Sequence, residues 1–76
     1  MKIRFTFKRI NETLTLKDAK YNVFNQNDEH IGFIEYYAPW KHFVLSTVDN
    51  GIIFSWDCLL EVSNFLKKLD EEVKNE

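Results

Sequence analysis

Cysteine, glycine and proline are scarce: the 76 residues hold one Cys, two Gly and one Pro. The lone Cys58 excludes an internal disulfide framework and a zinc site built on several cysteines. The scarcity of Gly and Pro, with 45% hydrophobic residues, excludes a collagen-like or disordered chain. Apolar runs are short, and none approaches the roughly 18 residues of a membrane-crossing helix. No apolar stretch follows a basic start in the manner of a signal peptide. The expectation is one small intracellular domain over residues 1–76, with the modest stability of a chain that buries little surface.

An excess of one charge sign is also missing, since ten Lys and Arg face twelve Asp and Glu. The placement is uneven. Residues 1–20 hold Lys2, Arg4, Lys8, Arg9, Lys17 and Lys20 against two carboxylates, whereas residues 56–76 hold three Lys against six. A basic front could meet phosphate backbones. Attraction between the two ends across the fold is the simpler reading, because nucleic-acid binders usually carry a clearly positive domain charge.

What is present is alternation. In residues 2–10, Ile3, Phe5 and Phe7 alternate with Lys2, Arg4, Thr6 and Lys8, the period of a half-buried strand. Leu14 and Leu16 alternate with Thr13, Thr15 and Lys17, which predicts a hairpin partner. Residues 21–24 read as a short strand, and Asn25-Gln26-Asn27-Asp28 as a turn. Residues 31–37 form the next strand, in which Gly32 signals a bulge or a close approach. Pro39 ends it. Residues 43–48 follow, then Asp49-Asn50-Gly51 as a type I′ turn and residues 52–54 as a return strand. Ser55 reads as a helix N-cap with Asp57 in the first turn. Leu59, Val62, Phe65, Leu66, Leu69 and Val73 then recur at helical spacing over residues 56–72. The predicted class is α+β: an antiparallel meander of five to six short strands packed against one C-terminal helix.

Aromatics are the compositional excess, with seven Phe, three Tyr and two Trp. Phe33, Tyr36, Tyr37, Trp40, Phe43, Phe54 and Trp56 crowd into residues 33–56. One helix covers one sheet face, and the strand over residues 31–37 carries large side chains on both. Tyr and Trp dominate interface hot spots. The turn Pro39-Trp40-Lys41-His42 with Tyr36 and Tyr37 is therefore the expected protein-contact site. Each aromatic also has a simpler reading as core. Base stacking would need Lys and Arg interleaved with the rings, and Lys41 is the sole basic residue in that stretch. Cys58 with His30 or His42 could form a nucleophile and base. A buried structural Cys58 is the preferred reading, because free cysteine behaves as a small hydrophobe and no oxyanion loop or third triad member accompanies it. No catalytic residue, cofactor or metal ligand is assigned.

The stretch Ile31-Gly32-Phe33-Ile34-Glu35-Tyr36-Tyr37-Ala38-Pro39-Trp40, then Phe43, Phe54-Ser55-Trp56-Asp57-Cys58-Leu59 and Phe65-Leu66, resembles a pattern of short proteins of bacteriophages and integrated mobile elements. A Gly-containing strand leads there to paired aromatics, a Trp turn, an aromatic strand and a helix opened by Phe-Ser-x-x-Cys-Leu. The resemblance covers about half the chain. The first 20 residues and Ser46-Thr47-Val48 lie outside it. It implies a phage or mobile-element accessory protein and supplies no activity. The leading expectation is a protein in the cytoplasm of a bacterial host that is not an enzyme and works by protein–protein contact, inhibiting or modifying a host machine. A second copy of the chain is another candidate partner. A sheet-based nucleic-acid-binding module is the alternative, and a small enzyme the third reading.

Overall fold

The fold is that of a computed structural model, which describes residues 4–75. Four strands form one antiparallel sheet in the order β1-β2-β3-β4: β1 Thr6–Arg9, β2 Tyr21–Phe24, β3 His30–Tyr37 and β4 His42–Thr47. The helix α1, Trp56–Lys74, packs on one face. The chain is thus α+β with a C-terminal helix, and among the described residues the meander has four strands rather than five to six.

Both surplus strands have physical reasons for not forming. The predicted strand over residues 13–17 is a loop ending in one turn of 3-10 helix, Leu16–Asp18. Its polar side chains satisfy the local backbone instead of a ladder. Asn11 Nδ2 donates to the Asp18 carbonyl, Lys20 N–H donates to Asn11 Oδ1, and Thr13 Oγ1 donates to the Thr15 carbonyl. β1 pairs directly with β2, Phe7 opposite Val23. Residues 52–54 join no strand. Gly51 does not take a positive φ, so the type I′ turn is not made. Asp49 Oδ1 instead accepts the Gly51 N–H, and the chain leaves the sheet toward α1. The expected start of the first strand, at Lys2 and Ile3, lies outside the described residues.

Alternation sorts the sheet into two faces. Phe7, Tyr21, Val23, Ile34, Phe43 and Leu45 face α1, where Val23 and Ile34 are fully buried. Val62 and Leu69 are buried from the helix side, joined by partly buried Cys58, Phe65, Leu66 and Val73. Phe65 stacks flat on Phe7 at 4.0 Å and meets the edge of Tyr21 at 5.3 Å. Each fully buried aliphatic side chain contributes about 1.5–3 kcal/mol. Leu59, expected in this stripe, is exposed, and Cys58 takes its place one position earlier.

Two non-glycine residues carry the positive φ of the tight turns. Asp28 (φ 61°) closes the β2–β3 turn, where the Asn25 side chain accepts the N–H groups of Asn27 and Glu29. Lys41 (φ 55°) closes the β3–β4 turn. Gly32 is required for close approach: a Cβ there would lie 2.6 Å from the Ser46 carbonyl oxygen. A register shift between Val23 and Phe24 adds a local irregularity beside it.

Candidate functional site

The β3–β4 turn holds the expected contact residues, and strand alternation divides them. Tyr37 turns to the face that α1 leaves open and meets the Trp40 ring edge-on at 5.1 Å. Trp40 is 67% exposed. Lys41 is exposed beside it. Tyr36 turns to the helix side, half-buried against Phe43 at 5.4 Å, with Lys17 Nζ 5.5 Å from its ring centre. His42 stands opposite Tyr37 in the register, yet its ring reaches over the edge of β4 to the helix, Nδ1 2.8 Å from Asp70 Oδ2. The structure therefore brings Tyr37 and Trp40 together, while Lys41 lines a hollow with Tyr36 and Asp70 and the His42 ring reaches Asp70.

The open sheet face extends this aromatic surface. Phe33 is partly exposed and meets His30 edge-on at 4.7 Å; His30 in turn contacts Phe24. Lys8 Nζ stands 5.4 Å from the Phe24 ring centre. Buried atoms Asn22 Oδ1 and His30 Nε2 have no hydrogen-bond partner among the described residues.

Trp40 also lies at the mouth of a groove of about 850 Å³ between β4 and α1, whose walls include Phe43, Leu45, Phe54, Leu59 and Leu66. Its rim carries Lys67 and Asp70. Asp70 Oδ1 accepts the Phe43 N–H at 2.8 Å.

At the other end of α1 lies a cluster that periodicity did not reveal. Arg4 reaches back from before β1 to the start of the helix, Nη2 2.6 Å from Asp57 Oδ2 and Nη1 3.3 Å from Cys58 Sγ. Ser55 Oγ contacts both Asp57 Oδ1 and Cys58 Sγ. Hydrogen bonds from Ser55 and Arg4 hold the Cys58 thiol below its usual value. The Ser55 hydroxyl and the Arg4 charge likewise hold the Asp57 carboxyl down. Glu61 accepts the N–H groups of Arg4 and Phe5. Cys58 is half-buried and polar-bonded rather than the buried hydrophobe expected. Ser55 occupies the N-cap position, yet its hydroxyl caps no backbone N–H; Asp57 Oδ1 accepts that of Cys58.

These positions explain the fate of the basic front. Arg4 is paired with Asp57, Lys20 lies 4.0 Å from Glu35, and Arg9 donates to Thr13 Oγ1. Two strands, β2 and β3, lie between β1 and β4, so the basic strand is not beside the aromatic turn. Among the described residues no helix is long and apolar enough to cross a membrane. Comparison with protein-family models, curated proteins and solved structures yields no match.

Proposed function

We propose that this domain works by binding another protein, not by catalysis, and that Trp40, Tyr37 and Phe33 on the open sheet face form the contact. The observation that carries this reading is the exposed Trp40 ring held edge-on by Tyr37 at the end of an uncovered sheet face. Large rigid rings offer contact area at little entropic cost, and contiguous exposed apolar surface marks interaction sites. The resemblance to short bacteriophage and mobile-element proteins supports an accessory role in a bacterial host, with inhibition or modification of a host machine as the outcome of the contact.

The test is capture of a partner from bacterial lysate by the wild-type chain and by Trp40→Ala. The variant is expected to lose capture. It is also expected to lose less fold stability than the roughly 3–5 kcal/mol of a buried aromatic truncation, as read by urea unfolding. A Trp40→Ala chain that unfolds would make Trp40 part of the core and remove the reading.

A second reading has one observation in its favour. Lys8, Phe24, His30 and Phe33 run as a continuous basic-aromatic row across the same face, a combination on which single-stranded nucleic acid stacks. Steeply salt-dependent retention on single-stranded DNA would favour it over a protein partner.

A further inference from the structure

We propose that Asn50 is a site of spontaneous modification in the folded protein, losing its amide nitrogen as ammonia with Asp49 as the base. Three observations lead there.

Asn50-Gly51 is a hairpin signal that the fold leaves unused. Of the seven Asn in the sequence, Asn50 alone precedes a glycine. Gly51 has no side chain to obstruct its own nitrogen, and a Cβ there would meet nothing nearer than Asp49 Oδ1 at 3.7 Å. Asp49, Asn50 and Gly51 are all exposed, in the connection between β4 and α1.

Five of the other asparagines are held. Asn11 is fixed between the Asp18 carbonyl and the Lys20 N–H. Asn25 is fixed between the Glu29 carboxylate and the N–H groups of Asn27 and Glu29. After Asn27, the Asp28 N–H donates to the Asn25 carbonyl, which takes no proton. Asn22 and Asn64 lie inside β2 and α1, where regular hydrogen bonding restrains the backbone. The Asn50 amide, in contrast, makes no hydrogen bond among the described residues.

The Gly51 N–H donates to Asp49 Oδ1 at 3.0 Å. A carboxylate thus stands on the proton that must leave before this nitrogen attacks. The N–H lies in the peptide plane, whereas attack uses the electron pair perpendicular to it, so base and electrophile approach from different directions. Asp49 takes the proton, and a bond forms from the Gly51 nitrogen to Asn50 Cγ. The bond from Cγ to Nδ2 then breaks, and the amide nitrogen leaves as ammonia with the proton returned from Asp49. Water opens the resulting succinimide at either carbonyl, giving aspartate or isoaspartate at position 50. The product carries one more negative charge than the −2 of the unmodified chain. Isoaspartate also lengthens the backbone by a methylene where β4 leads toward α1. The proposal is independent of the open-face reading, which places no residue in this connection.

The experiment incubates the full folded chain for days, from mildly acidic to mildly alkaline pH, and follows each asparagine by peptide-mapping mass spectrometry. Far-UV circular dichroism confirms that every variant is folded. In wild type, Asn50 is expected to convert before any other asparagine, with isoaspartate among the products, and Asn50→Gln to abolish the conversion. Asp49→Ala is expected to slow it about tenfold at mildly acidic pH, where hydroxide is scarce; a base in a closed site gives more, but this one is open to water. Asp49→Ser keeps a hydroxyl that accepts the Gly51 N–H but takes up no proton, and is expected to be as slow as Asp49→Ala. Conversion of another asparagine first, or of Asn50 only after unfolding in urea, overturns the proposal. So does an Asp49→Ala rate equal to or above that of wild type. A wild-type rate in Asp49→Ser assigns the effect to the shape of the turn and overturns the role of Asp49 as the base.

Discussion

Single residues decide how closely β3 and β4 lie. The Ser46 carbonyl and the Leu45 methyl occupy the space a side chain at Gly32 would need, at 2.6 and 2.9 Å. Part of that obstruction is backbone, which cannot rotate away. Gly32→Ala is therefore expected to destabilise the chain by about 1–3 kcal/mol, read as a lower urea midpoint with an unchanged slope. At Cys58 the chemistry is electrostatic. Ser55 and Arg4 favour the thiolate, so the labelling rate with a thiol reagent should plateau at lower pH than in the denatured chain. Arg4→Met should move that plateau back up. The sign for stability follows: the folded-state thiol value is depressed, so its contribution is complete above the unfolded value and is lost as pH falls through the folded one. Asp57 behaves in the same direction in the acid range. A labelling profile indistinguishable from that of the unfolded thiol would refute the coupling to Arg4 and Ser55.

At the scale of elements, α1 does more than cover a sheet face. Its carboxylates tie down backbone donors at both sides of the sheet: Glu61 at Arg4 and Phe5 leading into β1, Asp70 at Phe43 in β4. An amphipathic stripe alone would let the helix slide along the apolar face; these bonds fix its position. Glu61→Ala leaves two N–H groups without their acceptor and is expected to cost about 1–3 kcal/mol. Glu61→Gln should recover part of the loss, since an amide oxygen can still accept. A Glu61→Ala chain as stable as the wild type would mean that water replaces the carboxylate at no cost. The turns teach a related lesson. Asn25 organises the β2–β3 turn as its sequence suggests, whereas Asn50-Gly51, the strongest hairpin signal in the chain, makes no hairpin. A turn signal needs a strand to return to, and after Gly51 no further strand follows before α1.

For the whole molecule, one apolar cluster joins the sheet and the helix, while both tryptophans lie outside it. Trp40 is 67% exposed and Trp56 78% exposed. Dilute protein is therefore expected to emit as solvated tryptophan and to change emission little on unfolding in urea, while helical circular dichroism shows the transition. Blue-shifted emission in dilute native protein would contradict the exposure of both rings. A blue shift that appears only on concentration would report coverage of Trp40 or Trp56 by another chain. The near-balanced charge of the sequence is arranged rather than neutral everywhere, and the pairing of Arg4 with Asp57 is one place where the basic front meets the acidic helix.

The local rules were sufficient for much of this fold. Alternation gave β1 through β4 to within a residue or two wherever the described residues allow comparison, helical spacing gave α1, and Gly32 announced a close approach. Those features depend on neighbours two to four positions apart, which is the range over which periodicity carries information. The tertiary structure decided the rest. Residues 13–17 alternate like a strand but bond to their own loop. Leu59 has the spacing of a core residue but lies at a groove mouth, and Tyr36 and Tyr37, adjacent in sequence, part to opposite faces. Arg4 meets Cys58 across 54 positions and Phe43 meets Asp70 across 27. Bonds of that reach depend on where the helix crosses the sheet, and no local spacing encodes the crossing.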